Sequence, residues 1–62
     1  MKLWIARDSN GLLTVYNEKP NLYYNEYWDG DYSTQCIDLP KEMFPEVTFE
    51  NSPMEVELKL KQ

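Results

Sequence analysis

KLWIARDSNGLLTVY, residues 2–16, decides the fold of this chain. KLWIAR is short and rich in β-formers. Asn10 and Gly11 both tolerate positive φ, so DSNG reads as a tight turn. LLTVY then returns as a second strand, and the whole stretch predicts an antiparallel hairpin. A two-residue turn at Asn10-Gly11 sets Ala6 opposite Val15 and Ile5 opposite Tyr16. A four-residue loop shifts that register by two, and the local sequence is compatible with both.

The other end of the chain carries an equally plain pattern. In MEVELKL, residues 54–60, Met54, Val56, Leu58 and Leu60 alternate with Glu55, Glu57 and Lys59. A period of two reads as a half-buried strand. It is expected to pair with an element near the N-terminus. EVTFE, residues 46–50, reads as a shorter strand, and NSP, residues 51–53, as the turn between them. Asp38-Leu39-Pro40-Lys41-Glu42-Met43-Phe44 is the one helix candidate, with proline in its first turn and Pro45 stopping it. It predicts a single helical turn near Pro40–Phe44.

The middle of the chain, LYYNEYWDGDY at 22–32, follows the polar connection NEKPN. Pro20 has no N–H for a ladder, so the second strand ends before it. Asp29-Gly30 is a hairpin-turn dipeptide. A turn there sets Trp28 opposite Asp31, Tyr27 opposite Tyr32 and Tyr23 opposite Cys36, with CID (36–38) on the returning side. Asn25-Glu26 interrupts the apolar pattern, so this hairpin is expected to be irregular. The fold class that results is mainly β. It is a single small domain over residues 1–62, an open antiparallel sheet of four or five strands or one curled toward a small barrel, with one short helical turn.

Composition bounds the rest. A chain of 62 residues has room for one small core. Aromatics at 15% and hydrophobics at 42% argue against disorder. A sheet this small is marginal alone, which makes dimerisation through an exposed apolar face or an edge strand an expectation. The single cysteine, Cys36, allows no internal disulfide and fits a reducing, cytoplasmic setting. The stretch MKLWIARDSNG is too short and too charged for a signal peptide, and no run approaches a membrane span.

The net charge is −5. Nine acids and one base, Lys41, lie between Tyr23 and Leu58. An acidic surface repels a phosphate backbone, which disfavours nucleic acid as a partner. It either keeps the chain soluble or docks on a basic partner.

Catalytic equipment is sparse. There is no histidine, which removes Ser-His-Asp and Cys-His chemistry and the usual histidine zinc sites. Cys36 reads as a small buried apolar residue in a strand. Glycines occur only at 11 and 30, so there is no phosphate-cradling loop. Asp29 and Asp31 flank Gly30. Counted from Asp29, however, the sixth and twelfth positions are Thr34 and Pro40, where a calcium loop of the EF-hand kind needs Gly and Glu. No cofactor is expected.

The tyrosines remain. Aromatic rings are enriched at interfaces, and they are also what a small sheet needs to cover itself. Two or three of the five rings in 22–32 are expected on the core. A partner surface is expected on Tyr24, Tyr27, Trp28 and Tyr32, with Asp29 and Asp31 beside them. The function that follows is a non-enzymatic protein-interaction module. The alternative is a small ligand- or metal-binding protein, or a minor enzyme, using Asp29, Asp31 and the tyrosines.

WIARD at 4–8 before a glycine turn, NEKP at 17–20 and FPEVTFENSPMEVELKL at 44–60 resemble a group of small proteins. These are carried by phages, prophages and genomes of Bacteroides-type gut bacteria. The C-terminal segment is the most specific part, and residues 22–36 lie outside the resemblance. The resemblance implies a cytoplasmic bacterial or phage setting and adds nothing on function; in that setting the interaction module is expected as a phage accessory factor that binds a host protein. The resemblance carries no catalytic residue or ligand with it.

Overall fold

The computed structural model describes residues 1–61 and is mainly β, without a helix among them. Six strands form: β1 (Lys2–Arg7), β2 (Leu13–Tyr16), β3 (Asn21–Tyr23), β4 (Tyr27–Asp29), β5 (Cys36–Leu39) and β6 (Met54–Glu57). Four of them make an open antiparallel sheet in the order β5-β2-β1-β6, and β3 and β4 make a separate two-stranded ribbon. The sheet does not close into a barrel, so β5 and β6 are free edges.

The first hairpin forms as expected, but with neither anticipated register. Ile5 lies opposite Val15 and Trp4 opposite Tyr16. Asp8 and Leu12 face each other beyond the strand ends and enclose a three-residue loop, Ser9-Asn10-Gly11. Gly11 N–H donates to the Asp8 carbonyl (2.9 Å) and Asp8 N–H to the Leu12 carbonyl (2.8 Å). Gly11 sits at φ 95°, in the left-handed region that closes such a loop. A two-residue turn would have set Ala6 against Val15. One more residue in the loop exchanges every side chain of β2 between the faces. In the register that forms, Leu3, Ile5, Leu13 and Val15 share one face.

β6 pairs with β1, placing Val56 opposite Leu3 and Met54 opposite Ile5. The pairing of the chain ends is therefore as expected. Leu58 N–H continues the ladder to the Met1 carbonyl (2.8 Å). On the other side, β5 pairs with β2, with Ile37 opposite Val15 and Leu39 opposite Leu13. All four strands thus send their aliphatic residues to one face. Lys2, Trp4, Ala6, Thr14, Tyr16, Cys36, Asp38, Glu55 and Glu57 take the other.

Three expectations fail, each for a local reason. Residues 40–44 do not form a helical turn. A single bond from Met43 N–H to the Pro40 carbonyl (3.1 Å) closes a β-turn, and Phe44 then adopts φ 50°. Arg7 instead ties down the carbonyls of this segment and its neighbours. Its Nη1 donates to Lys41 O (3.0 Å) and Gly11 O (2.8 Å), its Nη2 to Met43 O (3.0 Å) and Phe44 O (3.1 Å), and its Nε to Val47 O.

Residues 46–50 are not a strand, because side chains occupy the backbone groups a ladder needs. Thr48 N–H donates to Asn51 Oδ1 (2.8 Å) and Asn51 Nδ2 to the Glu46 carbonyl (2.9 Å). Val47 instead plugs the core. Finally, β6 is exposed along its whole length rather than half-buried.

The core is correspondingly small. Ile5, Leu13 and Val47 form its centre, with Val15 and Leu39 packed against them. The loop over 40–53 covers the end of the aliphatic face near Arg7. At the other end Ile37 and Leu58 are exposed. The molecule is 41 × 27 × 17 Å.

Candidate functional site

The turn of the second hairpin is not at Asp29-Gly30. It lies at Tyr24-Asn25, both at φ 54°, with Glu26 N–H donating to the Tyr23 carbonyl (3.0 Å). β3 and β4 therefore pair Tyr23 with Tyr27, Leu22 with Trp28 and Asn21 with Asp29. The anticipated partners do not meet. Cys36 lies opposite Tyr16 in the large sheet, not opposite Tyr23, and on this edge strand it is exposed rather than buried. Asn25 was the available signal, since asparagine is the residue after glycine best suited to a left-handed turn. A tyrosine beside it at positive φ has no such excuse.

This turn divides the six expected site residues into two groups. Tyr27 stacks on Tyr23 at 5.6 Å between ring centroids and 22° between planes, and Tyr24 leans on Tyr27 at 6.2 Å and 39°. Tyr24 is 83% exposed and Tyr32 wholly so. Tyr23 belongs to this ring cluster although the sequence reading left it out. Only a turn centred on Tyr24-Asn25 brings it opposite Tyr27.

Trp28 faces the other way and is an anchor. Its N–H donates to Asp8 Oδ1 (2.8 Å), its carbonyl accepts from Tyr16 Oη (2.9 Å), and its ring lies 6.4 Å from Phe49. Its own Nε1 is buried without a partner. Ser9 N–H adds a bond to the Glu26 carbonyl (2.9 Å). These contacts fasten the ribbon to the sheet face opposite the aliphatic one. The expectation that two or three of the five rings pack inward is thus too high, since only Trp28 does.

The two aspartates serve their own loop. Asp29 Oδ1 accepts from Gly30 N–H (2.9 Å). Asp31 Oδ1 accepts from Ser33 N–H (2.9 Å), Ser33 Oγ (2.7 Å) and Thr34 Oγ1 (3.1 Å). The Ser33 hydroxyl and amide, with the Thr34 hydroxyl, hold the Asp31 carboxyl below the usual carboxylate value. Gly30 is required by space, because a Cβ there would lie 2.3 Å from Thr34 Cβ. Among the described residues no three His, Cys, Asp or Glu side chains gather as a metal site. A groove of about 420 Å³ exists, but it lies on the aliphatic face and none of residues 22–34 lines it.

Tyr16 joins the ribbon to the sheet and gives the site a pH dependence. Burial pushes its phenol from 10.0 up to about 12, with Asp8 and Asp29 adding to the effect and Thr14 opposing it. The unfolded chain therefore releases this proton first. The contribution is intact below pH 10 and lost as pH rises toward 12. Tyr16→Phe should flatten that part of a stability–pH curve measured by urea denaturation, and cost about 1 kcal/mol at neutral pH for the lost bond to Trp28. An unchanged alkaline slope in Tyr16→Phe would assign the loss to other groups.

No helix among the described residues is long and apolar enough to cross a membrane. Comparison with family models, with curated proteins and with solved structures returned no match.

Proposed function

We propose that this chain is a small non-enzymatic protein-interaction module that acts in a bacterial cytoplasm and docks on a protein partner through the tyrosine ribbon. The resemblance of its ends to small phage and prophage proteins makes it, in this reading, an accessory factor that binds a host protein. The observation that carries the proposal is Tyr24. Its ring is 83% exposed and its backbone is at φ 54°. An L-residue in the left-handed region costs roughly 1–2 kcal/mol. An exposed ring gains little to offset that cost, and glycine or asparagine would suit the turn better. Strain retained at an exposed aromatic points to use by a partner.

The cluster suits such use. Tyr23, Tyr24 and Tyr27 brace one another, so little side-chain freedom is lost on binding. Tyrosine presents an apolar body with a polar tip. Asp29, Asp31 and the uncompensated charge of −5 favour a partner with a basic surface.

The test uses Tyr24→Gly combined with Tyr32→Ala, the two most exposed rings of the region. Tagged protein is used to capture partners from a Bacteroides-type host lysate. Wild type should retain a partner that the double variant loses. The variant should meanwhile melt cooperatively, at neutral to about 1 kcal/mol greater stability because glycine relieves the turn. Equal retention by both proteins, or a variant that unfolds, would remove the ribbon as a docking surface.

A further inference from the structure

We propose that Asn10-Gly11 is a site of covalent self-modification that folding holds shut, so that conversion of Asn10 to isoaspartate records opening of the first hairpin. Glycine follows an asparagine only here in the chain. After Asn17, Asn21, Asn25 and Asn51 a side chain crowds the next backbone nitrogen, and at Gly11 none does. The pair is also accessible. Asn10 is exposed, and a Cβ built on Gly11 would meet nothing within 4 Å.

The chemistry needs only water. Gly11 nitrogen attacks Asn10 Cγ, the N–Cγ bond forms and the Cγ–Nδ2 bond breaks. Nδ2 leaves as ammonia, carrying the proton that Gly11 nitrogen gives up. Water then opens the cyclic imide at one carbonyl or the other, leaving isoaspartate or aspartate at position 10.

The folded loop opposes the first step in two ways. An amide nitrogen shares its lone pair with the adjoining carbonyl, so it attacks only after losing its proton. Gly11 N–H holds that proton against the Asp8 carbonyl (2.9 Å). The same bond closes a turn over Asp8-Ser9-Asn10-Gly11 in which neither Ser9 nor Asn10 is at positive φ, which makes it type I. The third residue of such a turn has ψ of about 0°, so Gly11 nitrogen eclipses the nitrogen of Asn10. Ring closure needs Asn10 Cβ in that place. The carboxamide is fixed as well, because Asn10 Oδ1 accepts from Leu12 N–H (3.1 Å). The surroundings clamp this geometry. Arg7 Nη1 donates to Gly11 O (2.8 Å), Ser9 N–H to the Glu26 carbonyl (2.9 Å) and Trp28 N–H to Asp8 Oδ1 (2.8 Å). Cyclisation therefore waits for the hairpin to open.

Isoaspartate then works against return. It carries the main chain through the side-chain carbon and lengthens the loop by that one atom. Loop geometry sets which face of the sheet the β2 side chains take. Aspartate leaves the main chain unchanged, and its Oδ1 still accepts from Leu12 N–H.

The test compares the intact protein with a blocked peptide of residues 7–13 in the same mildly alkaline buffer. Peptide mapping by mass spectrometry reads the replacement of NH2 by OH at residue 10, and electron-transfer fragmentation separates isoaspartate from aspartate. The protein should convert at least about tenfold more slowly than the peptide, because only its open fraction reacts. Its rate should rise toward that of the peptide as urea approaches the unfolding midpoint. Equal rates in buffer, or a protein rate that stays flat in urea, would mean that the folded loop itself cyclises, and would overturn the proposal. The isoaspartyl chain, isolated and refolded, should show a lower urea midpoint than the Asn10→Asp variant, which adds the same charge without the extra carbon. Equal midpoints would overturn the lasting record of opening.

Discussion

Arg7→Met should remove on the order of 3 kcal/mol of unfolding free energy, because breaking a charged hydrogen-bond network is among the most costly single changes. All five guanidinium hydrogens can be satisfied by the five carbonyls it meets, those of Gly11, Lys41, Met43, Phe44 and Val47. Methionine keeps an unbranched apolar stem and restores none of the bonds. The carbonyls of Val47 and Gly11 are partly buried, so their loss is only partly made good by water. Chains below roughly 70–80 residues rarely hold more than about 3–5 kcal/mol, so the variant should be largely unfolded near room temperature. Arg7→Lys should recover only a minor share, since a single ammonium with three donors does not span a fork of five acceptors. Urea denaturation followed by tryptophan fluorescence and circular dichroism measures both. A loss below about 0.5 kcal/mol in Arg7→Met, the scale of an ordinary surface change, would mean that the loop over 40–47 holds itself in place.

Leu13→Ala should cost a similar amount, about 3 kcal/mol within the usual 2–5 kcal/mol for emptying a buried leucine site. Leu13 is 1% exposed and packs with Ile5 and Val47 at the centre of the core. The chain has few other apolar residues to close over the cavity. Ile37→Ala is the matched control on the next strand, on the same face and two residue pairs along. With its side chain 70% exposed, it should change stability by less than about 0.5 kcal/mol. Equal losses at the two positions would show that Ile37 is buried in the folded chain.

This pair of leucine and isoleucine shows what was not legible in the sequence. Both occur in short runs of β-formers, LLTVY and CID. Nothing local separates the residue under Val47 from the one open to solvent. The difference lies in where the 40–53 loop crosses the sheet, and that path depends on a guanidinium more than thirty residues away. The helical turn read from Pro40 to Phe44 failed for the same reason. A one-turn helix has marginal intrinsic stability. Arg7 holds the segment on an irregular path, and Phe44 turns into the left-handed region.

The candidate site divides in a parallel way. The exposed rings of Tyr24, Tyr27 and Tyr32 were legible as surface candidates, because so many aromatics exceed what one small core can take. Trp28 was not legible as an anchor, nor Tyr23 as a member of the cluster. Asp29-Gly30 is the stronger local turn signal, but Asp31, Ser33 and Thr34 use that segment for a loop of their own.

The sequence by itself determined the strand character, the hairpin around Gly11 and the poverty of catalytic side chains. These rest on period-two alternation, on residues that tolerate positive φ and on composition, all of which act within a few residues. Tertiary structure alone decided the register of β2, the turn at Tyr24-Asn25, the irregular path of 40–53 and the face left uncovered. Each of these rests on contacts between distant segments. Local preferences of about 1 kcal/mol are outweighed wherever a charged network or a buried side chain contributes more.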